Sequence, residues 1–208
     1  MKLKILGKAT SINVRKVLWT CAELGLDYEL EAYGSGFKPT ETPEFRALNP
    51  NAMVPVLLDG DFVLWESNTI CRYLVTRYAP GTLLPEDAAG HARVEQWMDW
   101  QGTELNNAWR YAFMSLVRKS PAHQDAQALA AGVANWHRHM TLLDEQLQRT
   151  GSFAAGAQFS LADVVLGLST HRWMAAPLEH PELPAVQAYY ERLSQRPGFM
   201  AHGRNGIP

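Results

Sequence analysis

Residues 54–70 read VPVLLDGDFVLWESNTI. An apolar run, Val54–Leu58, is followed by Asp59–Gly60–Asp61, a second short run, Phe62–Leu64, and then a polar break. Asp-Gly between two apolar runs is a hairpin signal. The stretch therefore predicts two antiparallel strands that feed a helix over about Asn68–Tyr78.

Upstream, the same grammar runs in short units. Leu3–Leu6 and Tyr28–Ala32 read as strands. Between them Val14, Val17, Leu18, Cys21 and Leu24 recur at helical steps, and Gly25 stands where a helix C-terminal cap prefers glycine. A loop from Gly34 to Pro43 leads to a short helix near Glu44–Leu48. The predicted order is β-α-β-α-β-β-α.

Downstream, the grammar changes. The linker Ala79–Pro85 holds two prolines and a glycine, and no strand is expected after it. Val94, Trp97, Met98, Leu105, Trp109, Phe113 and Leu116 form one amphipathic series, and Leu129, Val133, Trp136, Met140, Leu143 and Leu147 another. Ser160, with Asp163 three residues on, predicts a capped helix start, flanked by Phe159 and Val164 as a hydrophobic staple. A last helix is expected over about Ala185–Gln195. The fold class expected is α/β plus all-α, with domains at 1–79 and 86–208. No internal repeat or low-complexity tract is visible.

Composition narrows the function. Lys plus Arg total 19 against 21 Asp plus Glu, a net charge of −2, so no broad phosphate-binding face and no nucleic-acid partner are expected. The longest stretch free of charge, Thr150–Ala162, is too short and polar for a bilayer, which needs roughly 20 apolar residues. The N-terminus enters a strand-like segment, Lys2–Leu6, without a secretory pattern. Two cysteines, Cys21 and Cys71, do not make a disulfide scaffold, and a cytoplasmic setting is expected. They do not form Cys-x-x-Cys and read as small hydrophobes. His137 and His139 fall on different helix faces and complete no ligand set, so no metal is expected.

Four pieces in order carry a likeness: Val54–Pro55 entering a strand, Trp65 to Ile70 opening a helix, Phe159 to Asp163, and Arg196 to Phe199. Together they resemble the cytosolic glutathione S-transferase family, in its theta-like, delta-like or bacterial nu-like serine-type members. The likeness covers nearly the whole chain. It implies a thioredoxin-like N-terminal domain, an all-helical C-terminal domain, glutathione as co-substrate, a small apolar electrophile as second substrate, and a homodimer.

The resemblance also implies roles. A cis Pro55 turns the backbone of Val54 toward the tripeptide; a trans proline at an edge strand is the plain alternative. Ser67 and the positive end of its helix would take the γ-glutamyl carboxylate, and Glu66 the α-ammonium. Ser11, four residues before Arg15, takes the thiolate-holding place. Thr10 and Asn13 remain alternates, and Asn13 is also a good helix cap. Ala52 and Met53 stand where many relatives carry Lys, His or Gln, which leaves Lys38 as the substitute for the glycine carboxylate. Trp109 and Phe113 share a helix face and are expected either to line the electrophile pocket or to enter the core. A reductase of small disulfides or peroxides, and a non-catalytic binding module, are the other functions this fold allows.

Overall fold

The computed structural model describes residues 3–208; Met1 and Lys2 lie outside the described residues. The first strands and helices are β1 (Leu3–Leu6), α1 (Ile12–Leu24), β2 (Tyr28–Glu31), α2 (Pro43–Leu48), β3 (Val56–Asp59), β4 (Phe62–Trp65) and α3 (Ser67–Tyr78). The sheet order is β2-β1-β3-β4, with β1 and β2 parallel and the other pairs antiparallel. Several boundaries shift by one or two residues from the expectation. β3 starts at Val56, because Val54 and Pro55 turn out of the ladder, and α3 starts one residue earlier than expected, at Ser67.

Helices follow without a further strand element among the described residues: α4 (Ala88–Trp100), α5 (Asn106–Leu116), α6 (Ala126–Thr150), α7 (Leu161–Ala175), α8 (Pro184–Leu193) and α9 (Pro197–His202). The first amphipathic series is a single continuous rod only in outline. Gln101–Leu105 forms one wide π turn between α4 and α5. Such turns shift the helix face and gather at functional sites, and this one carries Gln101 fully inside.

At the start of α7, Asp163 accepts from the Ser160 N–H at 2.9 Å and the Ser160 hydroxyl at 3.1 Å. The Ser160 hydroxyl and N–H thus both donate to the acid, which closes the helix entry. Asp163 also accepts from the Ala154 N–H at 2.9 Å and the Tyr189 hydroxyl at 3.0 Å. One carboxylate therefore ties the loop before α7 to α8.

The two halves share one core. Trp19 of α1 is buried and meets Phe159 and Phe199. Its indole N–H donates to Glu23 at 2.7 Å, and Glu23 is bound by Arg196 through two nitrogens, at 3.1 and 2.6 Å. The Arg-Pro-Gly-Phe motif is thus a clamp that docks α9 on α1. A Cβ on Gly198 would stand 2.6 Å from the Trp19 ring, and one on Gly167 would stand 2.7 Å from Leu193 and 3.0 Å from Trp19. Only glycine permits that approach. Gly167→Ala is expected to lower stability by about 1–3 kcal/mol through overpacking, measured as a lower urea midpoint at an unchanged slope.

Candidate active site

α1 begins after a loop that must pass against Val54. A Cβ on Gly7 would lie 2.5 Å from Val14 and 3.4 Å from Val54. The glycine therefore lets the β1–α1 loop lie close to the segment ahead of β3. Ser11 is the N-cap residue of α1 by backbone conformation, yet its side chain makes no cap hydrogen bond. Its backbone carbonyl accepts from the Arg15 N–H at 2.9 Å, and its hydroxyl has no hydrogen-bond partner among the described residues. Thr10 is exposed, and Asn13 is half-buried on the wall of the adjoining cleft.

That cleft, about 460 Å³, is lined in part by Asn13, Asn49, Met53, Val54, Pro55 and Ser67. The Val54–Pro55 peptide is cis. Val54 lies before the ladder and forms no backbone hydrogen bond with the described residues, so its N–H and C=O remain available as a strand edge. Glu66, also on the cleft, is the N-cap residue of α3 and holds φ at 73°. A non-glycine residue in that region stores backbone strain, a feature that clusters at active sites. The Glu66 side chain is exposed and caps nothing, while Ser67 behind it is buried as the first helical residue. The N-cap place belongs to Glu66.

Asn49 organises the cleft floor. Its amide donates to the Met53 carbonyl at 2.8 Å, and its oxygen accepts from the Asn51 N–H at 3.0 Å. Ala52, in the same turn, has φ at 52°. The Asn-Pro-Asn run before Val-Pro was the available sign of this turn, and the sequence reading passed over it.

Lys38 does not line the cleft. It pairs with Glu31 of β2 and stands 5.6 Å from the Tyr33 ring centroid. Glu31, gripped by Lys38 and Lys4, is held below the usual carboxylate range. Trp109 and Phe113 of α5 meet edge to face at 5.3 Å, and both are covered by the Arg172 guanidinium of α7, at 4.4 and 4.1 Å from their centroids. Phe113 is buried and Trp109 half-buried.

Comparison with known proteins settles the family. The profile "Glutathione S-transferase, N-terminal domain" matches residues 1–76, and "Glutathione S-transferase, C-terminal domain" matches residues 126–192. The chain is 36% identical over 193 residues to glutathione S-transferase GstB of Escherichia coli, covering 92% of each. The chain belongs to the glutathione S-transferase family. As a transferase of this family it also matches, at a TM-score of 0.92 and 37% identity over 99% of each chain, the theta class enzyme from the citrus canker pathogen Xanthomonas axonopodis pv. citri, crystallised with glutathione bound. Glutathione S-transferase 3 of Zea mays is 32% identical over 203 residues, 95% of this chain and 91% of that one.

In this transferase the residue after Ser67 is fixed from behind. Lys16, buried in α1, donates to Asn68 Oδ1 at 3.0 Å and to Gln101 Oε1 at 2.8 Å. Gln101 in turn donates to Asn106 at 2.9 Å and Ser169 at 3.1 Å. A buried ammonium held by neutral amides is costly, and burial lowers its pKa to about 8. The network joins the first turn of α3 to the π turn and α7. The apolar repeat of α1 carries no sign of it, because its partners lie far away along the chain.

The thiols of the protein do not line the cleft. Cys21 and Cys71 are both buried and unbridged, and burial pushes them up to about 12 and about 11. Among the described residues no group of three or more His, Cys, Asp or Glu could hold a metal, and no helix is long and apolar enough to cross a membrane.

Proposed function

We propose that Ser11 holds the sulfur of glutathione as a thiolate at the N-terminus of α1, beside a cleft in which Val54 and Ser67 bind the tripeptide. The protein is a glutathione S-transferase with glutathione as co-substrate. The single observation that carries the site assignment is the unpaired backbone of Val54, turned out by the cis Pro55 bond and facing the N-terminus of α3 across one cleft.

The chemistry is nucleophile activation. A free thiol titrates near about 8.5, so little of it is ionised at neutral pH. An uncommitted hydroxyl and the N–H groups of a helix start stabilise the anion, and a two-unit drop corresponds to about 2.7 kcal/mol. The thiol proton leaves to solvent. The sulfur then forms a bond to an electrophilic carbon as the leaving group departs with its electron pair, aided by the proximity of the two bound substrates. Val54 pairs with the cysteinyl backbone, Pro55 fixes that edge, Ser67 takes the γ-glutamyl carboxylate and Glu66 the α-ammonium. Lys38 is the candidate for the glycine carboxylate, and reaching it requires release from Glu31. Trp109, half-buried, is the candidate for the wall on the electrophile side, whereas Phe113 belongs to the core.

A homodimer in the cytoplasm, with the first domain of one subunit against the helices of the other, completes this reading. So does the division at 1–79 and 86–208.

The test is retention on immobilised glutathione, followed by assay of the pure protein with an aryl halide and with a small disulfide. Conjugation faster than disulfide reduction supports the reading. Faster reduction transfers the site to a glutathione-dependent reductase, and absence of glutathione binding leaves a non-catalytic module. Ser67→Ala is expected to weaken glutathione binding about ten-fold by calorimetry, as loss of a charge-assisted hydrogen bond does.

A further inference from the structure

Among the described residues the lining of the cleft holds no lysine, arginine or histidine, and its one ionisable side chain is Glu66. With the γ-glutamyl end at Ser67 and the cysteinyl unit on the Val54 edge, the third residue of the tripeptide is left the wall made by Asn49, Asn51 and Met53. The polar groups of that wall are engaged with one another. The Asn49 amide donates to the Met53 carbonyl at 2.8 Å. The Asn49 oxygen accepts from the Asn51 N–H at 3.0 Å and from the Asn51 side-chain amide at 3.2 Å.

Three cations on the neighbouring segments are held by other partners. Lys38 pairs with Glu31, Arg46 pairs with Glu41 and donates to the Pro50 carbonyl at 3.2 Å, and Lys8 donates to the Ser35 carbonyl at 3.3 Å. The Lys38 side chain is 60% exposed. Turning it to the glycine carboxylate exchanges one carboxylate partner for another. An exposed ion pair shifts an equilibrium by about five-fold at most, and the exchange leaves less than that. The glycine carboxylate therefore adds little to binding whether or not Lys38 moves.

Two further side chains give the cleft a different character. Met53 is 61% exposed, and Trp65, opposite Val56 in the β3–β4 ladder, is half-buried. Both line the cleft and offer apolar surface in place of a counter-charge. We propose that this transferase accepts, as co-substrate, glutathione whose glycine carboxylate is masked as an amide or extended by a further group, on equal terms with glutathione itself. The thiol and the γ-glutamyl group are the same in all of these, so the chemistry at sulfur is unchanged. The inference rests on the glutathione reading of the cleft and adds to it the range of thiols that the cleft takes.

The probes are glutathione, glutathione amide, in which the glycine carboxylate is a carboxamide, and cysteinylglycine, which lacks the γ-glutamyl group. Calorimetry on the intact protein is expected to give Kd values for glutathione and its amide within about three-fold of each other. Conjugation of one aryl halide should show kcat/KM values in the same ratio. Cysteinylglycine, which loses the Ser67 and Glu66 contacts, should bind at least about ten-fold more weakly. Met53→Lys places a cation on this wall at an exposed position, and it is expected to raise the preference for glutathione over the amide by about five-fold. A parent protein that already prefers glutathione by more than about three-fold overturns the proposal and leaves the glutathione reading intact. A ratio that Met53→Lys does not move places the third residue elsewhere and overturns the proposal as well. Glutathione and its amide binding no tighter than cysteinylglycine overturns the glutathione reading of the cleft, and the proposal with it.

Discussion

Ser11→Ala is expected to lower kcat/KM for conjugation by about one to two orders of magnitude near neutral pH. The size follows from the thiol. If the bound sulfur titrates two units below its free value, loss of the stabilising hydroxyl returns part or all of about 2.7 kcal/mol. The N–H groups at the start of α1 remain in the variant, so the loss stops short of abolishing activity. The rate should recover as pH rises past the free thiol range, because the sulfur then ionises unaided. The Ser11 hydroxyl makes no cap bond that its removal would break, so the melting temperature should hold. Thr10→Ala, at an exposed position, should leave the rate within a few-fold. Asn13 stands on the cleft wall and is the true competitor. A larger loss in Asn13→Ala than in Ser11→Ala would move the sulfur to the asparagine.

Asp163→Ala is expected to cost about 3–5 kcal/mol, the range for breaking a buried network around one charge. Its carboxylate accepts from Ala154, Ser160 and Tyr189, so the change leaves several buried donors without a partner. Thermal unfolding should fall by about 6–20 °C, given about 2–4 °C per kcal/mol at this size. Ser160→Ala, by contrast, should cost only about 1 kcal/mol, the usual worth of a cap. Burial also raises the Asp163 carboxyl to about 6, because desolvation outweighs its hydrogen bonds. The unfolded chain releases this proton near about 3.9. Between those values the folded state holds the extra proton, so this group makes stability fall as pH rises through the window and level off above it. Asp163→Asn should lack that slope. A melting curve for Asp163→Ala indistinguishable from the parent would contradict the network.

The periodic elements were legible in the residues themselves. Val14 to Leu24 repeat at helical steps and form α1, and the Asp-Gly hairpin places β3 against β4. The Ser160 start was readable because an N-cap and its acid stand three residues apart on the chain. What escaped depends on groups far apart in sequence. Apolar character continues across Val54, Pro55 and Val56, so only the cis bond reveals that the ladder begins at Val56. The π turn at Gln101 keeps the apolar spacing of a helix within one residue and leaves no mark in the pattern. Lys16 and Lys38 show the same limit. One lysine is buried against α3 and the π turn, the other paired to Glu31, and neither partner is predictable from local composition. For the site, the residues at Val54, Pro55, Glu66, Ser67 and Asn13 come together on one cleft, with Ser11 at the adjoining helix start.

The most direct test of the thiolate claim is an ultraviolet titration of glutathione bound to the intact protein and to Ser11→Ala. The parent should show the thiolate band growing in with a midpoint clearly below the free value of about 8.5, and the variant should move back toward that value. A bound thiol that titrates like free glutathione in the parent, or a low midpoint that survives in Ser11→Ala, would contradict the assignment of Ser11.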